Sequence, residues 1–198
     1  RLRATGIVHL AGEVRFSEAA QPVDFEAFVE QRAAGARAWI GFRQGPLFRV
    51  LLLSGSAGHE RNESGQYLPT EGRELEVLRG EAATLPLAAR FPAHGAWHEA
   101  GGTRLRRSSD GVVAEISAKG SLRAATIPFA DPPAREFSGS IPAAGLTFPS
   151  RIVARRESGV AWTLEIRKWL PHCALLDSLF QPPQRGGDPG LVLGPVSG

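Results

Sequence analysis

Apolar residues recur at every second position along much of this chain. From Leu2 to Leu10, Leu2, Ala4, Val8 and Leu10 share one face. From Phe25 to Gln31, Phe25, Ala27 and Val29 oppose Glu26, Phe28 and Glu30. A period of two predicts strands, and short polar clusters separate one run from the next. Ala-Ala-Gly-Ala leads into a run from Ala38 to Arg43, and Gln44-Gly45-Pro46 parts it from Leu47 to Leu53. Gln66 to Leu68 and Glu74 to Leu78 read as strands flanking a turn at Thr70-Glu71-Gly72. Ser109-Asp110-Gly111 separates Thr103 to Arg107 from Val112 to Ser117, and Lys119-Gly120 precedes Leu122 to Phe129. Glu157-Ser158-Gly159 separates Ile152 to Arg156 from Val160 to Trp169. Asp-Gly and Ser-Gly supply the positive φ angles of tight turns, so these pairs predict hairpins and an antiparallel meander.

One segment breaks the period. "EAATLPLAARFPA", residues 81–93, carries Leu85, Leu87, Ala88 and Phe91 at helical spacing. Pro86 and Pro92 limit it to a short helix or two turns. Residues 181–198 are rich in glycine and proline and read as a disordered tail, which sets a folded domain over residues 1–183 and a tail over 184–198.

The run "WIGFRQGPLFRVLLLSGS", residues 39–56, departs from clean alternation. An antiparallel strand with one wet face alternates apolar and polar residues. Ala38 to Phe42 and Leu47 to Leu53 are apolar on both faces and need cover on both. A strongly curved sheet wrapped around an apolar cavity, with a helix as a plug, supplies it.

Composition narrows the function classes. The chain has 198 residues, 42% hydrophobic and 22% charged, enough for one domain with a sizeable core. Its longest apolar run, Val50 to Leu53, is far short of a membrane helix. Net charge is +3, and the arginines are scattered rather than gathered with aromatics, which argues against nucleic acid and leaves modest attraction to an anionic membrane surface. The single Cys173 permits no internal disulfide. The absence of methionine, even at position 1, reads as a chain processed or cut from a longer one.

Candidate catalytic motifs lack partners. His94 and His98 stand four apart, but Gly95 and Pro92 break the helix that would align them, and no third ligand sits at a usual spacing. Ser56 and His59 lack the strand-turn-helix frame of a serine nucleophile. His172 beside Cys173 could lower a thiol pKa, yet a half-buried spectator cysteine is the simpler reading. "EGRELE" reads as a solvated strand face, and no phosphate loop or dinucleotide fingerprint occurs. No nucleophile, base and orienting group come together, and no enzyme is expected.

At residues 39–56 the chain resembles the LolA/LolB-like periplasmic lipoprotein-carrier superfamily. There an apolar strand ends in a basic residue, a Pro/Gly turn follows, and "LFR" opens a second apolar strand. "GQYLPTEGRELEVLRG" is similar to the family's next hairpin, and "EAATLPLAARFPA" lies where the family places cavity-closing helices. "WTLEIRKWLPHCALLDSLFQPP" resembles its final strand and closing F-x-x-P element, here Phe180 to Pro183. The resemblance implies an incomplete antiparallel β-barrel, closed by short helices, around a hydrophobic cavity. It implies a non-enzymatic periplasmic carrier without cofactor, a monomer that shelters acyl chains of lipids or lipoproteins. It further implies anchoring to the outer membrane through a segment upstream of residue 1. Leu10, Phe28, Trp39, Leu51, Leu53, Leu85, Phe91 and Trp162 are the expected cavity-lining residues. Arg43, with Arg49 second, is the expected rim or lid contact. The alternative is a structural or interaction domain whose barrel is filled by its own side chains. Which face of each strand points inward stays open, because a one-residue slip inverts it.

Overall fold

The first and last of the described strands lie side by side at the centre of one sheet. The computed structural model describes residues 7–17, 21–32, 35–62, 64–90, 96–173 and 177–182. The expected tail over 184–198, together with Phe91 and His94, lies outside them. The strands are β1 (Ile7–Phe16), β2 (Val23–Arg32), β3 (Gly35–Gln44), β4 (Leu47–Ser54), β5 (Ala57–Arg61) and β6 (Tyr67–Thr70). Helix α1 (Gly72–Arg90) follows, then β7 (Trp97–Glu99), β8 (Arg104–Arg107), β9 (Val113–Ile116), β10 (Leu122–Thr126) and β11 (Ala134–Ser138). A small ribbon, β12 (Ile141–Ala143) with β13 (Leu146–Phe148), precedes β14 (Arg151–Arg156) and β15 (Gly159–Cys173).

Thirteen strands form one antiparallel sheet, ordered β6-β5-β4-β3-β2-β1-β15-β14-β11-β10-β9-β8-β7. The architecture is mainly β, an open curved sheet with one helix. Its two edges, β6 and β7, are neighbours in sequence, and the chain crosses from one to the other through α1.

α1 corrects two expectations. Glu74 to Leu78 is helix, not strand, and the helix runs through Pro86 for 19 residues rather than stopping at it. Leu75, Leu78, Ala82 and Leu85 fit helical spacing as well as Glu74 to Leu78 fits a period of two, so the short run was ambiguous. A proline inside a helix costs about 3 kcal/mol. Burial of Leu85, Leu87 and Ala88 around it offsets that cost. Gly80 lets the helix come close, since a Cβ there would stand 2.4 Å from that of Ala130.

From β1 to β4 adjacent strands keep one register. Leu10 stands opposite Ala27, Ala27 opposite Ile40, and Ile40 opposite Leu51, so these four share the concave face. Their neighbours His9, Phe28, Trp39 and Leu52 form the matching row on the convex face. The main core joins the concave residues to Leu78, Ala82, Leu85 and Leu87 of α1. A second core on the convex face gathers Ile7, Phe28, Trp39, Val50 and Leu52 beneath Leu179 and Phe180 of a short 3-10 turn, Asp177–Phe180. Residues 39–56 are apolar on both faces because the helix covers one face and this turn the other. Gly41 completes the motif: the Trp39 indole lies over it, 2.5 Å from where a Cβ would stand.

Candidate functional site

The helix does not fill the concave side. A cavity of about 1060 Å³ lies between it and the sheet. Val14, Phe25, Ile40, Phe42 and Leu51 line its sheet wall, with Ala161, Trp162 and Leu164 from β15. Val77, Leu78, Glu81 and Leu85 face it from α1, at spacings of three and four that place them on one stripe of the helix. Phe42 meets Phe25 edge-on at 5.5 Å and Phe16 at 6.2 Å, so aromatic rings crowd the end of the wall near the β1–β2 and β3–β4 connections.

A polar group stands in this apolar wall. Glu81 Oε1 accepts a hydrogen bond from Arg135 Nη2 at 2.9 Å, and Trp162 donates another to the same carboxyl. Arg135 has no exposed side-chain surface. It also donates from Nε to Thr84 Oγ1 at 3.2 Å and from Nη1 to the Pro132 and Ala134 carbonyls. Its guanidinium lies 5.0 Å from the Trp162 ring centre. Burial pushes the Glu81 carboxyl above the usual glutamate range, and Arg135 and Trp162 pull it part of the way back. Mechanically, Glu81 and Thr84 pin the middle of α1 to β11.

The opening is charged. Arg49 grips Glu60 with two bonds, Nε to Oε1 at 2.6 Å and Nη2 to Oε2 at 2.8 Å. Asp131 sits between Arg73, in the first turn of α1, and Arg156 at the end of β14. Hydrogen bonds from Arg73 and then Arg156 hold its carboxyl below the usual aspartate range. Arg61, Asn62 and Glu74 complete the border.

The expected lining residues divide by position. Leu51, Leu85 and Trp162 line the cavity. Leu10 and Leu53 lie on the same face but in the solid core under the helix. Phe28 and Trp39 lie on the convex face, in the second core, because they are one residue out of phase with Leu51. Of the two arginines, Arg49 borders the opening. Arg43 is exposed on the convex side of the β3–β4 hairpin, its guanidinium 5.7 Å from the Phe48 ring centre. Phe25, Phe42, Glu81 and the Asp131 cluster were not singled out from the sequence. Phe25 and Phe42 were within reach of it: they follow the register of Leu51 toward the Gly-Pro turn.

Burial raises the Cys173 thiol pKa, the reverse of activation, and its sulfur lies 3.7 Å from the Leu170 carbonyl. His98 is exposed on β7 and meets Ser108 at 3.3 Å. Among the described residues no group of three or more His, Cys, Asp or Glu could hold a metal ion. No described helix is long and apolar enough to cross a membrane.

No family model and no curated protein sequence matches this chain. Solved structures do match its fold. A LolA superfamily protein from Nitrosomonas europaea aligns with a TM-score of 0.56 at 13% identity, over 89% of this chain and 90% of that one. A DUF1329 family protein from Desulfovibrio piger aligns with a TM-score of 0.51 at 9% identity, over 91% of each chain. The fold is LolA-like.

Proposed function

We propose that this protein is a non-enzymatic carrier that shelters acyl chains of lipids or lipoproteins in the cavity between α1 and the sheet. The observation that carries this reading is the cavity itself, whose wall is largely apolar, with Glu81 and the buried Thr70 as its inner polar residues, and whose other charges are gathered at its opening. Its volume of about 1060 Å³ is at the upper end of ligand pockets, roughly 300–1,000 Å³. Each methylene moved from water into such a wall contributes about 0.8 kcal/mol, so an acyl chain gains affinity with length. The LolA-like fold agrees with the reading. Periplasmic residence, work at the outer membrane and a monomeric state belong to the same proposal, as does the absence of catalysis.

Organic extraction of the purified protein followed by mass spectrometry, with titration of a fluorescent fatty-acid probe, tests it. Co-purifying acyl lipids and saturable one-site binding are expected. Protein that yields no lipid and binds no long-chain probe would leave a self-filled structural domain instead.

A further inference from the structure

We propose that Arg73 and Arg156 form an oxyanion site at the cavity opening, and that the preferred ligand is an acidic amphiphile, its tail inside and its carboxylate or phosphate head on these two guanidiniums. The inference rests on the carrier reading and names the ligand class for it.

The argument begins with Asp131. Arg73 donates from Nε and Nη2 to Asp131 Oδ2, the first bond at 2.8 Å, and Arg156 donates from Nε to Oδ1 at 3.1 Å. The place between the two arginines therefore already stabilises one carboxylate, as the depressed Asp131 pKa records. One negative charge between two positive ones leaves an excess of one. Arg156 engages only Nε and Arg73 leaves Nη1 unused, so several N–H donors have no partner among the described residues. A guanidinium edge of this kind matches a carboxylate or phosphate in geometry as well as charge.

The other charges at the opening do not cancel the excess. Arg49 and Glu60 satisfy each other. Arg61 is engaged by an interaction of its own, and the exposed Glu74 acts on Arg49. Inside, Glu81 is matched by Arg135. Arg73 lies in the first turn of α1, where the helix dipole also favours an anion. Arg73 and Arg156 border the same cavity whose wall is apolar a few residues further along α1, at Val77 and Leu78. A head held at the opening thus directs its tail inward.

Both arginines are partly exposed, with side chains 72% and 45% accessible, so the head contributes a preference rather than the bulk of affinity. The test compares dodecanoate, dodecyl phosphate, dodecanol and dodecyltrimethylammonium by displacement of a fluorescent probe from the full chain. Acetate and inorganic phosphate serve as heads without tails. The two acidic amphiphiles are expected to bind about tenfold more tightly than dodecanol, the ratio that one modest charge-assisted contact supplies. That preference should shrink as salt rises. Arg73→Gln combined with Arg156→Gln should abolish the preference, read as the ratio of dodecanoate to dodecanol affinity within the same variant. Asp131→Asn removes the resident competitor and should enlarge the preference, a gain that misfolding cannot imitate.

Equal binding of dodecanoate and dodecanol, or a preference that survives the double substitution, overturns the oxyanion site and leaves the cavity reading intact. Inorganic phosphate competing as well as dodecyl phosphate overturns the amphiphile. Failure of every tailed ligand to bind removes the carrier reading and this inference together.

Discussion

Leu51 and Leu52 are neighbours in one strand, and each faces a cover made by another part of the chain. Leu52 points to the convex face, where Leu179 and Phe180 sit directly on the sheet, and it is 2% exposed. Leu51 points to the concave face, where α1 stands off, and it is half-buried on a cavity wall. The residue types do not differ, so the strand does not decide which face is solid. The cover does. On the convex side Phe180 is 1% exposed, with Arg37 stacked 4.6 Å from its ring centre and bonded in turn to Glu30. On the concave side Arg135 and the Asp131 cluster hold the helix by polar contacts at its middle and its start. Leu78, Ala82, Leu85 and Leu87 of the helix pack into the core, while Val77 and Glu81 face the space left open.

The largest effect should come from breaking the solid side. Phe180→Ala removes a fully buried ring and is expected to cost about 3–5 kcal/mol. Urea denaturation would measure it, and probe affinity should stay as in the unaltered protein if the two faces are independent. A parallel fall in affinity would show that the convex cover shapes the cavity.

Filling the open side should do the reverse. Ala161→Phe places a ring into the cavity and is expected to weaken probe binding at least about tenfold, or ~1.4 kcal/mol. The melting temperature should hold, because the space was empty of protein atoms. A large destabilisation with intact binding would mean that the cavity lies elsewhere.

The smallest effect is a slope with pH. An acid whose folded pKa is raised binds its proton more tightly when folded. Its stabilising share is therefore full below the ordinary glutamate pKa and is lost as pH rises through the raised value. Glu81→Gln should remove this alkaline-going loss, read as a flatter urea midpoint from the ordinary glutamate range upward. An unchanged slope would mean that Arg135 keeps Glu81 ionised throughout.

How much of this was legible beforehand depends on the region. The hairpins at Gln44-Gly45-Pro46, Ser109-Asp110-Gly111, Lys119-Gly120 and Glu157-Ser158-Gly159 were readable because each carries its own turn chemistry, and the two-sided apolar run demanded two covers. The first nine residues of α1 were not readable, since Glu74, Leu75, Glu76, Val77 and the turn signal at Gly72 read as turn and strand. The parity of Phe28 and Trp39 was likewise hidden. Both are large and apolar, and nothing local tells a convex core from a concave one. Register with Leu51 tells them apart, and register belongs to pairs of strands. Glu81 and Arg135 lie 54 residues apart, and no local pattern joins an acid on a helix to an arginine on a strand.

The pairing of β1 with β15 has a consequence for biosynthesis. The hairpins β1–β2, β2–β3 and β3–β4 need only local chain and can form as each emerges. The other side of β1 must wait for residues 159–173. In that interval Ile7–Phe16 presents an unpaired, apolar strand edge, the kind that pairs with whatever chain is nearest. The strand that completes the sheet is the last of the described strands to be synthesised. Truncation within β15, or a stall before it, therefore leaves a nascent chain that aggregates through its own first strand.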